Sequence, residues 1–238
     1  MRLVVKSEYL KSFFDSLSVL VTESRVRFSD SGIRASAVSG SLVAMVTVEM
    51  PKGSMEEYSF EKELVVGVDV DRVSRILKSC DGNVEISVDN ELKINTKDFS
   101  YSISLIDPSA LRDEPKSGNL KFTSEFSVKA GDLRNAINAA SKVFGDVVIR
   151  TDSDGVHIES KGDVDRISIS LSVQGLPEAR SMYDSEYLKN FLKIAKPEDT
   201  VNVQIGTKYP VRISIKLHGG KLSVDYLLAP KVESYDSG

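Results

Sequence analysis

The side chains able to run acid–base or metal chemistry in this 238-residue sequence are few and scattered. Two carboxylate pairs, Asp152/Asp154 and Asp163/Asp165, have a spacing that general acid–base or metal work could use. Both sit in turn-rich segments, "TDSDG" and "KGDVD", where Asp side chains bond their own backbone, so turn formation is the expected role. His157 falls in the alternating run "VHIES" and His218 in the hairpin-like "LHGGKL". Two histidines and one cysteine do not compose a transition-metal site, and a lone Cys80 permits no internal disulfide. Cys80 closes the run "RILKSC" and is expected to be a small buried apolar residue. The sequence contains no phosphate-binding GxxxxGK[ST], no HExxH, no CxxC pair and no GxSxG. We therefore expect no catalysis, no cofactor and no metal.

One chemistry is patterned, and it is cationic. Apolar residues recur at helical spacing in four segments: 8–21, 70–79, 131–143 and 186–195. Their stripes are Leu10, Phe13, Phe14, Leu17, Leu20 and Val21; Val70, Val73, Ile76 and Leu77; Leu133, Ala136, Ile137, Ala140 and Val143; and Leu188, Phe191, Leu192 and Ala195. Opposite these stripes helical phase sets Lys11; Arg72, Arg75 and Lys78; Arg134 and Lys142; and Lys189, Lys193 and Lys196. Acids gather instead in the first turns, where the helix dipole favours them, Asp15 excepted. On one helix such cations are ordinary solubilising residues, but four helices with the same bias suggest a common phosphate-facing surface. No aromatic or Asn/Gln-rich pattern accompanies them, so contact with DNA would be to phosphates and independent of base sequence. Ser7, Asp71, Asp132 and Ser185 are the expected N-terminal caps, and Pro197 follows the last helix.

The rest of the chain must position these helices, and it alternates with period two. Strands are expected at "RLVV", "GIRASAV", "LVAMVTVEM", "NVEISV", "ELKINT" and "FSYSISLI", then at "VVIRT", "VHIES", "RISISLSV", "VNVQI", "VRISIKL" and "KLSVDYLL". Internal repetition is visible. "SDSGIRAS" at 29–36 matches "SDGVHIES" at 153–160, and the spacing that separates Gly32 from Gly155 carries Leu10 onto Leu133. "VSRILK" at 73–78 likewise parallels "LKNFLK" at 188–193, each followed by an alternating strand. We read a duplicated α+β domain with a weaker repeat inside each copy. The expected boundaries are 1–106 and 123–238, joined by the Pro- and Gly-containing surface linker 107–122.

Bulk properties agree with a globular protein able to bury its own core. The net charge of −4 argues against gross adsorption to nucleic acid, so any DNA-binding face must be local. Apolar runs such as "LVAMVTV" are too short to span a bilayer and no signal-peptide pattern opens the chain, so no membrane association and an intracellular location are expected.

At this point the chain resembles the proliferating cell nuclear antigen (PCNA) sliding clamps of archaea and eukaryotes, in an archaeal-like form. The most specific match is "YLLAPKVE" at 226–233; "SGIRASAVSGSLVAMV" at 31–46, "GVDVDRVSRILK" at 67–78, "LID" at 105–107 and "YP" at 209–210 support it by order and spacing. The resemblance implies a homotrimeric ring of two-domain subunits, antiparallel sheets outside, with two helices per domain on the inner face around duplex DNA. Of the cations, Lys11, Arg75, Lys78 and Lys193 match channel positions of that family. The implied partner site is an apolar pocket under the linker for short peptides of DNA polymerase, flap nuclease and ligase: Val38, Met45, Leu111, Pro210, Leu227, Ala229, Pro230, Lys231 and Val232. Taken alone, Val38 and Met45 read as core. Subunits would join by the edges of "DFSYSISL" and "DRISISLSV", with Tyr101, Ile103, Ile167, Ile169 and Leu171 in contact. A clamp loader would open the ring. The location would be cytoplasm or nucleoid in an archaeon, nucleus in a eukaryote. The rival readings are a subunit of a heterotrimeric or checkpoint-type clamp, a peptide-binding adaptor that never encircles DNA, and an unrecognised β-rich enzyme.

Overall fold

The computed structural model describes residues 1–115 and 118–232. The chain divides into two compact units, Met1–Lys116 with Lys216–Val224, and Ser117–Ile215 with Asp225–Gly238.

In the first unit the order is β1 (Arg2–Lys6), α1 (Ser7–Ser18), β2 (Glu23–Ser29), β3 (Gly32–Val38), β4 (Ala44–Pro51), β5 (Glu57–Ser59), β6 (Leu64–Asp69), α2 (Val70–Leu77), β7 (Asn83–Val88), β8 (Glu91–Asn95) and β9 (Ser100–Ser104). Its strands lie in the spatial orders β5-β1-β7-β8-β9 and β6-β2-β3-β4, all antiparallel. The second unit contains β10 (Ser124–Lys129), α3 (Ala130–Ala140), β11 (Asp146–Asp152), β12 (Gly155–Lys161), β13 (Arg166–Leu171), β14 (Ala179–Asp184), α4 (Ser185–Leu192), β15 (Thr200–Ile205) and, apart from the turn segment Lys216–Val224, β16 (Val211–Leu217) and β17 (Leu222–Leu228). Its orders are β10-β15-β16-β17 and β14-β11-β12-β13. Strand for strand, β1-β7-β8-β9 and β6-β2-β3-β4 recur in these orders, so the duplication extends to topology.

The repeat inside each unit is a strand running straight into a helix, and its hydrogen bonds are reciprocal. The first amide of α1 (Ser7) donates to Gly82 O, just before β7, and that of α2 (Val70) donates to Thr22 O, just before β2, each at 2.8 Å. In the second unit Ala130 donates to Asp199 O at 2.8 Å and Ser185 to Gly145 O at 3.1 Å. Each helix therefore starts on a carbonyl supplied by the segment leaving its sister helix, which satisfies one of the orphan donors of a helix N-terminus.

This changes the caps expected from sequence. Ser7 and Ser185 are buried first residues of their helices, not caps. The capping carboxylates are Asp69, which accepts from Arg72 N at 2.8 Å, and Asp184, which accepts from Glu186 N at 2.9 Å. Lys6 and Lys129 occupy the cap positions of α1 and α3 without a side-chain bond. The helices are also shorter than their apolar patterns, because Leu20 and Val21 fold back in a turn onto Leu17 O.

Packing follows the predicted stripes. Leu10, Phe13, Phe14 and Leu17 of α1, with Val73 and Leu77 of α2, are buried against Val26, Phe28, Ile33, Val68, Ile86 and Ile94 of the strands. Each such side chain contributes roughly 1.5–3 kcal/mol when fully buried. In the second unit Leu133, Ile137, Leu188 and Leu192 are fully buried, and Phe191 stacks on Tyr226 with ring centroids 4.3 Å apart at 4°. The aligned Leu10/Leu133 and Val73/Leu188 thus fill equivalent core positions.

Gly32 and Gly155 open the second strand of equivalent hairpins with φ of 132° and 149°. A Cβ there would stand 2.2 Å from Met50 O or 2.8 Å from Val173 O, so neither site admits a side chain without moving backbone. Strands β2, β5, β6, β10 and β14 are additions to those that alternation singles out; β6 and β10 are short stretches directly continuous with helices.

Candidate nucleic-acid and partner interfaces

The exposed cations lie on α1 and α2 and, differing from the expected helix-face positions, just past the C-terminal ends of α2, α3 and α4. Lys11 of α1 and Arg72, Arg75 and Lys78 at α2 are exposed in the first unit; Lys142, Lys193 and Lys196 are exposed in the second. Among the described residues none of these seven forms an ion pair; Arg75 Nε reaches only the backbone oxygen of Asp71, at 3.3 Å. The acid Asp15, which shares the outer side of α1, is turned to the Ser74 hydroxyl of α2 and so joins the two helices.

Two predicted cations are engaged elsewhere. Arg134 does not project from α3; its Nη2 donates to Leu192 O and Ala195 O, each at 2.6 Å, and its Nε is buried without a partner. It closes the C-terminal end of α4, where a cation meets the negative end of the helix dipole. Lys189 is half-buried and paired with Glu186 one turn earlier.

The residues of the expected peptide site are distributed over both units. Val38 and Met45 face each other across β3 and β4. Both are half-buried on the face opposite Val46, Val48 and Met50, so the core reading of this pair is wrong: they are apolar residues on an otherwise polar outer face. Val38 and Leu111 line one cleft of about 550 Å³, walled by the α1–β2 turn, the end of β3 and linker residues 110–113. The hairpin beyond Val38 exposes Leu42 (69%) at φ 63° and Val43. In the second unit Pro210 follows Tyr209, whose backbone is pinned by the buried Tyr183 hydroxyl donating to Tyr209 O at 2.7 Å and by Tyr209 N donating to Ser181 Oγ at 2.9 Å. Burial pushes the Tyr183 hydroxyl well above the usual tyrosine range. Leu227, Ala229 and Pro230 are half-buried, and Val232 is 92% exposed.

Lys231 is engaged within its own chain. Its amide donates to Met182 O at 2.8 Å and its Nζ binds Asp146 at 2.6 Å and Asp184 at 3.6 Å, so it ties down the chain after β17. Asp146 chiefly holds the Lys231 ammonium above the ordinary lysine range.

Linker placement depends on residues that alternation alone does not single out. Gly67 exchanges backbone hydrogen bonds with Ile106, at 3.2 and 2.9 Å. Arg25 and Arg27, on the polar face of β2, reach the linker at Leu111 O, Asp113 and Glu114. Arg–x–Arg opposite the buried Val26 and Phe28, with paired acids in the linker, was the available signal.

Strand β9 ends its sheet and β13 ends another, and among the described residues neither outer edge is paired. Tyr101 is 48% exposed, whereas Ile103 is 3% exposed and belongs to the core rather than to a contact surface. Ile167, Ile169 and Leu171 are half-buried along β13, and the last two line a groove of about 680 Å³ against Ala136 and Ala139 of α3.

The chemical groups that sequence left idle are structural. Asp152 Oδ1 accepts from Asp154 N and Gly155 N, closing the turn. His157 bonds Ser170, and His218 packs on Tyr9 and bonds Ser12 Oγ at 2.8 Å. Cys80 is buried, which pushes its thiol up. Among the described residues no group of three His, Cys, Asp or Glu is placed to hold a metal ion, and no helix is long and apolar enough to cross a membrane.

Two units that repeat the same strand orders, β5 apart, each with exposed cations on its helices or at their ends, constitute a duplicated DNA-clamp fold. Residues 2–111 match the family model of the proliferating cell nuclear antigen N-terminal domain. The chain is 40% identical to the DNA polymerase sliding clamp of Archaeoglobus fulgidus over 97% of its length and 98% of the relative's, and 32% identical to that of Methanococcoides burtonii over 94% and 96%. A solved structure of A. fulgidus PCNA with the C-terminal region of FEN-1 bound superposes with a TM-score of 0.93 at 39% identity, covering 98% of this chain and 99% of the other. PCNA from Thermococcus kodakaraensis, 22% identical, shares the fold with a TM-score of 0.87 over 97% and 99%. The chain belongs to the PCNA family of DNA polymerase sliding clamps.

Proposed function

We propose that the chain closes into a homotrimeric ring around duplex DNA and tethers replication and repair proteins to it, without catalysing a reaction itself. The observation that carries this reading is a set of seven exposed cations without an ion pair among the described residues, three within α1 and α2 and four just past the C-terminal ends of α2, α3 and α4, on a chain whose net charge is −4. Such a surface attracts phosphates locally while the rest of the molecule does not. Encirclement makes strong contacts unnecessary: a ring stays on DNA by topology, and weak phosphate contacts leave it free to slide.

The open edges of β9 and β13 support closure by strand pairing between successive copies, with Tyr101 on one side and Ile167, Ile169 and Leu171 on the other. Pairing would also remove two edges that otherwise invite aggregation. Val38, Met45 and Leu111 in the first unit, and Pro210, Leu227, Ala229 and Pro230 in the second, form the apolar surfaces for short peptides of a DNA polymerase, clamp loader, flap nuclease or ligase. Their occurrence on outward faces supports this. The archaeal relatives favour work in the cytoplasm.

The test is retention on DNA after loading. A topological clamp remains on a nicked circle and leaves when the circle is cut; equal retention on both forms, or none on either, would refute encirclement. Light scattering should give about three times the 26.1 kDa chain mass. A stable monomer would point instead to a subunit of a mixed ring.

A further inference from the structure

The linker that follows β9 is gripped by charge. It crosses the first unit at Gly67, where a Cβ would lie 2.5 Å from Ile106 O and 2.9 Å from Leu111 Cδ1. Arg25 stands directly opposite Gly67 on the neighbouring strand. From there its Nη2 donates to Leu111 O at 2.7 Å and its Nη1 meets Asp113 at 2.8 Å. Arg27, two residues on along the same face, holds Glu114 at 3.1 Å through Nη2 and Glu63 through Nη1. A third contact ties the linker to the β3–β4 hairpin, Arg112 Nη1 to Ser39 O at 3.5 Å.

From this geometry we infer that Arg25 and Arg27 are positioning residues for partner binding, acting as an electrostatic latch that presets the linker wall of the cleft between Val38 and Leu111. The inference rests on the reading of that cleft as part of a peptide site. The glycine leaves the gap in which the linker can lie against the sheet, and the arginines fix its height and register. The side chain of Arg25 is 19% exposed while its partner Asp113 is 92% exposed, so the anchor is rooted in the sheet and the linker supplies the removable half. A latch of this kind spares the peptide the cost of ordering the wall as it binds. Because Asp113 is open to solvent and the Arg27–Glu114 pair is only partly covered, the order they hold weakens with salt. Partner affinity thereby acquires a salt dependence of its own, even for a peptide with no net charge.

The experiment uses the full chain and a net-neutral synthetic peptide bearing one aliphatic and one aromatic anchor. Two independent routes break the latch: Arg25→Ala with Arg27→Ala from the sheet, and Asp113→Asn with Glu114→Gln from the linker, the latter leaving the sheet untouched. Both should speed amide exchange across 107–115 while exchange in β2 and β6 holds, and both should weaken peptide binding about tenfold, the cost of ordering roughly one more residue on binding. Arg25→Lys, which keeps the charge but loses the fork, should recover part of the affinity. Raising salt should bring the unaltered protein toward the variants and leave the variants unmoved. Unchanged linker exchange in both variants would overturn the latch. Faster exchange with unchanged peptide affinity would overturn its positioning role. No binding by the unaltered protein would overturn the peptide site, and the role with it, while the exchange data would still report whether the latch exists.

Discussion

Replacing Arg134 by alanine should cost stability and leave DNA contact unchanged, whereas replacing Arg75 should do the reverse. Both are arginines on cationic helices and helical phase treats them alike. Arg134 makes two hydrogen bonds of 2.6 Å to the last carbonyls around α4, and Leu192 and Ala195 are both buried. A hydrogen bond from a charged donor is worth about 1.5–3 kcal/mol net. Two of them, set against the cost of the buried, unpartnered Nε, come to about 3 kcal/mol. For a chain of this length that is a fall in Tm of roughly 6–12 °C. Arg75 is exposed and reaches only its own helix backbone, so its removal should stay within about 0.5 kcal/mol. On DNA the order inverts. In Arg75→Ala the slope of log binding constant against log salt should flatten by about 0.9 for each phosphate that the arginine no longer neutralises, and in Arg134→Ala it should not change. Differential scanning calorimetry and a salt titration of binding to duplex DNA measure both quantities. The assignment would be refuted by an Arg134→Ala protein that melts within about a degree of the unaltered one and binds DNA with a flattened slope.

Gly67→Ala should lift the linker, since the added methyl would collide with Ile106 O. It should cost about 1–3 kcal/mol through the two backbone bonds at stake, and its signature in amide exchange should centre on 105–111. Glu85→Gln tests the surface ion cluster in which Arg2 bridges Glu85 and Glu57 at 2.6 Å each. The Arg2 guanidinium holds the Glu85 carboxyl below the ordinary glutamate range, so the stability it contributes is present above that range and lost as pH falls through the depressed value. The Tm difference between the two proteins should therefore be constant near neutrality and vanish in acid; a difference that persists in acid would show that the ion pairs are not its source.

Pattern along the chain is enough to establish the four apolar helical stripes, twelve of the seventeen strands, the duplication and the bias of charge toward the helices and their ends. Those are local or repetitive properties: an alternation of two or a spacing of three and four survives whatever the chain later packs against. Leu10 and Leu133 can be aligned because both must face a core. Folding alone settles where long polar side chains end up and which strands meet. Arg134 has the phase of a DNA-facing residue, but the end of α4 lies within reach and presents two carbonyls, and that juxtaposition joins residues 58 and 61 apart in sequence. Lys231 reads as part of a terminal motif, yet Asp146, 85 residues earlier, takes its ammonium. Val38 and Met45 look like core until register sets them on the outer face. The expected cap Ser7 becomes a buried first residue because a strand runs into its helix and a carbonyl from Gly82 fills the place of a cap. Long flexible side chains choose among partners brought close by folding, and their choice is invisible to any pattern along the chain.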